Sequence, residues 1–103
     1  MRSQKNGMFE VLTSDTGDDI YLTPVSYSML SGVHRFDIGK RIQENWEKLG
    51  LFSIPYNTPD GVDNKWLIPL SVVGDWMRKD NPKLLSKITY MQSLKDYILS
   101  QVD

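Results

Sequence analysis

Two dipeptides, Thr23-Pro24 and Asn81-Pro82, constrain the fold more than any other feature of this sequence. In each, a short polar side chain that can accept a hydrogen bond from a helix's first turn precedes a proline. Its missing N–H costs nothing at the first helical position. Helices are therefore predicted to start at both places, and the chain before and between them has to be divided around those starts. No cysteine occurs among the 103 residues, so no disulfide, thiolate metal site or cysteine nucleophile contributes. A chain of this length forms one modest core and has no room for a second domain, so residues 1–103 are expected to be a single domain.

Before the first start, Met8–Leu12 and Ile20–Leu22 are β-prone and flank a turn-rich stretch holding Asp15, Gly17, Asp18 and Asp19, which predicts a hairpin. The helix from Pro24 reaches about Leu30 and is closed by Gly32. Ile38, Ile42, Trp46 and Leu49 then form one stripe of a 3.6-residue period, predicting a helix capped by Asp37 in front and Gly50 behind. Leu51–Tyr56 and Lys65–Ile68 read as a second hairpin with an eight-residue tip, Pro55 marking an edge. Pro69 and Leu70 open a short helix with Val72, Val73, Trp76 and Met77 on its apolar face. After Asn81-Pro82 a long helix is predicted towards Gln101, with a stripe of Leu84 or Leu85, Ile88, Met91, Leu94, Ile98 and Val102. The expected fold is α+β and winged-helix-like, in the order hairpin-helix-helix-hairpin-helix-helix. The long helix is also a candidate dimerisation element.

Enzymatic motifs are absent. The chain has one histidine, His34, with no Gly-rich phosphate loop, His-Glu-x-x-His or G-x-S-x-G. Asp18-Asp19 reads as a solvated turn, so no catalytic residue, metal or cofactor is assigned. The longest apolar run is a few residues, and Met1–Glu10 lacks the apolar core of a signal peptide, which points to the cytoplasm without a membrane partner.

The net charge of −1 argues against sequence-blind nucleic-acid binding, whose affinity comes from neutralised phosphates. That charge is unevenly spread. Residues 1–20 and 51–75 are acidic by two each, whereas residues 21–50 are basic by one and residues 76–103 by two. The positive charge thus falls in the helical segments.

Residues 24–49 carry part of a helix-turn-helix pattern. Ser28 is small where helices cross, Tyr27 is a candidate core residue, Gly32 can turn the chain, and Val33 and Ile38 supply wedging apolar side chains. Ser31 and Arg41 stand where apolar residues are usual. Under this reading Arg35, Lys40, Arg41 and Gln43 are the candidate DNA contacts, because such side chains hydrogen-bond base edges and phosphates. The bland alternative is the wet face of an amphipathic helix. Arg78 and Lys79, with Lys83 and Lys87 four apart on the next helix, form a basic patch, and Lys83 and Lys87 are assigned to phosphates. The second hairpin is acidic through Asp60 and Asp63, unlike a DNA-binding wing; its Phe52 and Tyr56, with Trp66, are the candidate partner-binding residues.

The stretch Trp66-Leu67-Ile68-Pro69-Leu70, Val73-Gly74-Asp75-Trp76-Met77 and Asn81-Pro82, followed by Leu84, Leu85, Lys87, Ile88 and Tyr90, resembles the N-terminal domain of phage antirepressor proteins, itself akin to the Bro and KilA N-terminal viral modules. Asp75 departs from that pattern by splitting its Gly-Trp pair. Upstream, Ile20–Pro24 and Arg41–Asn45 match more loosely. The resemblance spans about residues 20–98 and implies a phage regulatory protein that binds DNA, or captures a repressor or host factor, as a homo-oligomer.

Overall fold

A computed structural model describes residues 1–103, apart from the side chain of Met91. The chain forms five strands and five helices: β1 (Arg2–Asn6), β2 (Phe9–Thr13), β3 (Ile20–Leu22), α1 (Pro24–Ser31), α2 (Arg35–Leu49), β4 (Phe52–Thr58), β5 (Gly61–Pro69), α3 (Leu70–Asp80), α4 (Pro82–Met91) and α5 (Leu94–Ser100). The strands make one antiparallel sheet in the order β1-β2-β3-β5-β4.

The fold is α+β, but the winged-helix-like order hairpin-helix-helix-hairpin-helix-helix is overturned: the order is β-β-β-α-α-β-β-α-α-α. Three local causes account for the difference. Arg2–Asn6 is polar throughout and has no apolar alternation, yet it pairs along all of β2 through a two-residue loop in which Gly7 takes φ 62°. The second hairpin is no separate wing, because Tyr21 pairs with Pro69 and Leu22 with Ile68, which joins it to the N-terminal strands. Its tip is also shorter than eight residues, since the ladder runs on to Thr58 opposite Gly61. Finally, the predicted long helix breaks at Gln92–Ser93, where Ser93 Oγ accepts the Asp96 N–H and begins α5. Met91, expected in the stripe of that helix, lies outside the described side chains.

The other helix starts follow simple capping chemistry. Thr23 Oγ1 accepts the Ser26 N–H at 3.2 Å and Asn81 Oδ1 accepts that of Leu84 at 3.3 Å, while Gly32 at φ 80° closes α1. α2 starts two residues before its expected cap: His34, rather than Asp37, accepts the Phe36 N–H, through Nδ1.

The helices cover one face of the sheet. Phe9, Val11, Ile20, Leu22 and Ile68 from the strands meet Tyr27, Ile38, Ile42, Val73, Met77 and Ile98 from the helices, all buried. On the other face Leu12 stands opposite Tyr21 and Leu67 opposite Phe52; both leucines are buried, and the two rings meet edge to face at 5.4 Å.

Candidate nucleic-acid interface

α1 and α2 are joined by a three-residue turn, Gly32-Val33-His34, and the buried Tyr27 and Ile38 lock the pair to the core. Ser28 and Ser31 both serve this turn. Ser28 Oγ donates to the Val33 carbonyl at 2.6 Å, and Ser31 Oγ accepts the Val33 N–H at 3.2 Å. A serine where an apolar residue is usual is thus explained by a bond it makes.

Burial of Ile38 and Ile42 turns the opposite side of α2 to solvent, where Phe36, Lys40 and Gln43 follow one another at helical spacing with Arg35 beside them. Among the described residues Arg35, Lys40 and Gln43 make no ion pair and no side-chain hydrogen bond. Phe36 is 72% exposed. Its ring stacks on His34 at 5.1 Å and 17°, with the Arg35 guanidinium 6.0 Å from its centroid. This aromatic was missed in the sequence, although its position off the Ile38–Ile42 stripe was the available signal. Charge divides along the helix: Arg35, Lys40 and Arg41 against Asp37 in the first half, Lys48 against Glu44 and Glu47 in the second.

Arg41 stands apart from the other candidates. Its Nη1 and Nη2 donate to Asp80 Oδ2 and Oδ1 at 2.7 and 3.2 Å, and its guanidinium lies 4.8 Å from the centroid of the Trp76 ring. Tyr27 OH donates to the same Asp80 Oδ2 at 2.5 Å and meets Trp76 edge to face. Burial opposes the charge on Asp80, but the hydrogen bonds from Arg41 and Tyr27 outweigh it and hold the carboxyl below its usual range. Burial and the neighbouring carboxylate push the Tyr27 hydroxyl far up, so it stays a donor. The guanidinium of Arg41 is thereby committed to holding α2 against α3.

Lys83 and Lys87 are exposed on α4. The start of that helix lies against the end of α1, because Asn81 Nδ2 donates to the Leu30 carbonyl at 3.3 Å.

The aromatic candidates do not form one patch. Phe52 and Tyr56 share a face of β4, whereas Trp66 stands opposite Ser53 on the other face and packs against Trp46 at 6.0 Å. Tyr56 lies beneath Lys65, whose Nζ is 4.9 Å from the ring centroid and donates to both oxygens of buried Glu10, at 2.9 and 3.2 Å. Burial works against the charge on Glu10, yet the hydrogen bonds of Ser3 and Lys65 lower its carboxyl below the usual range.

No group of three acidic, histidine or cysteine side chains among the described residues is placed to hold a metal ion, and no helix is long and apolar enough to cross a membrane. Compared with models of protein families, with curated proteins and with solved structures, the chain matches none.

Proposed function

We propose that this chain is a small phage-type regulatory protein that binds duplex DNA through its α1–α2 unit, with the first half of α2 entering the major groove. One observation carries the reading: Arg35, Phe36, Lys40 and Gln43 stand exposed together at the start of the second helix of a tight helix pair, with no ion-pair partners among the described residues. Helix-turn-helix proteins read base edges with that end of that helix. Arg35 and Lys40 suit guanine or phosphate, Gln43 suits adenine, and Phe36 suits a thymine methyl. Lys83 and Lys87 then meet phosphates. Arg41 positions α2 through Asp80 and makes no contact with DNA. The resemblance of Trp66–Tyr90 to the antirepressor N-terminal domain supports the regulatory, phage-type side of the reading.

Near-neutral charge gives this reading a distinctive signature. Four basic contacts correspond to a fall in log affinity of about 3.6 per decade of salt, so useful affinity has to come from sequence-specific contacts. Selection from a random duplex pool should enrich one motif. Fluorescence anisotropy on that motif should show Arg35→Ala/Lys40→Ala binding about 10- to 100-fold more weakly, with an unchanged melting temperature. Failure to enrich any motif, or an unaltered affinity in the double variant, would sink the reading.

A further inference from the structure

The β4–β5 hairpin outruns the sheet that carries it. β5 has nine residues, but β3 pairs with only Ile68 and Pro69, which leaves the edge of Gly61–Leu67 on that side without a strand beside it. An open edge of this kind templates the pairing of another strand unless something blunts it. β4 carries Pro55, which has no N–H to offer a newcomer; the open stretch of β5 contains no proline. The Asn64 N–H is occupied for now by Asp63 Oδ1, at 2.8 Å. Val62 on the same strand is 71% exposed.

The sequence of this edge is self-complementary. Asn64 lies at its centre, flanked by Asp63 and Lys65, and these in turn by Val62 and Trp66. Two copies laid antiparallel about Asn64 put Asp63 opposite Lys65 twice, Val62 opposite Trp66 twice, and amide against amide. Directly opposed unlike charges and apolar pairs stabilise an antiparallel ladder, and like charges destabilise it. Moving the two-fold axis to Asp63 sets that carboxylate against itself, and moving it to Lys65 does the same to the ammonium.

We propose that this edge of β5 binds a second copy of the chain, giving a dimer whose two-fold axis passes between the two Asn64 residues. Lys65 then lies between Glu10 of its own chain and the incoming Asp63, and Asp63 releases the Asn64 N–H to the ladder.

The absence of cysteine from the chain makes the register directly testable. Asn64→Cys puts two thiols face to face across the axis, within the Cα separation that a disulfide spans, whereas Asp63→Cys puts its thiols two residues out of step and beyond that reach. Mild oxidation in dilute solution should convert Asn64→Cys to a covalent dimer of twice 11.9 kDa and leave Asp63→Cys unlinked. Sedimentation over a concentration series should show a reversible dimer for the unmodified chain, weakened about tenfold or more by Asp63→Lys, with the circular dichroism spectrum retained. A monomer at every concentration, equal cross-linking of the two cysteine variants, or a dimer indifferent to Asp63→Lys overturns the proposal. It stands apart from the DNA reading, since a monomer that still selects a DNA motif refutes this one alone.

Discussion

Asp80 holds two side chains at once. It accepts two hydrogen bonds from Arg41 and one from Tyr27, while its side chain is only 7% exposed and that of Arg41 is 28% exposed. Removing one partner of such a pair costs more than the pair contributes, because the other is left buried without compensation. Asp80→Ala is therefore expected to lower unfolding free energy by about 2–4 kcal/mol in urea titration. The sign of its pH dependence follows from the lowered carboxyls. Stability held by Asp80 and Glu10 is fully present above their unfolded values, 3.8 and 4.5, and is lost as pH falls through the lower folded ones. The urea midpoint should stay level from about pH 7 to about pH 5 and then drop, less steeply in Asp80→Asn. Arg41 also shows what a sequence leaves unsaid about a single residue. Its exposure-prone side chain on a basic helix suggested a DNA contact, and nothing nearby announced a partner 39 residues away.

Elements were legible where their signals are local. Thr23-Pro24 and Asn81-Pro82 mark real helix starts, Gly32 and Gly50 real ends, and of the expected stripe Ile38 and Ile42 are buried, whereas Leu49 is half-buried and Trp46 is exposed. The exposed start of α2 was legible for the same reason, since a buried stripe dictates which residues face away from it. What failed was competition between signals. Apolar spacing runs on from Ile88 to Ile98 and masked the Ser93-x-x-Asp96 start, a capping pattern visible in the sequence. A polar edge strand such as β1 leaves no apolar alternation at all, so only its Gly7 turn marked it. Ser93→Ala tests the break between α4 and α5. Loss of this cap should cost about 1 kcal/mol and speed amide exchange in α5 while leaving the α1–α2 amides unchanged.

At the scale of the whole molecule, the sheet consists of two locally formed pieces. β1, β2 and β3 are sequential neighbours, as are β4 and β5, and the two groups are joined by the pairs Tyr21–Pro69 and Leu22–Ile68, with the Glu10–Lys65 bridge beside them, 55 residues apart. This seam has a kinetic meaning. Each hairpin can zip at the speed of a short loop, whereas the seam has to wait for a long loop to close before any contact repays the lost entropy. The seam is therefore where the folding barrier should lie. In stopped-flow experiments Leu22→Ala should slow refolding more than it speeds unfolding, and Val62→Ala, on the open edge, should leave refolding almost unchanged. Because β3 is so short, two residue pairs set the pace for the entire chain.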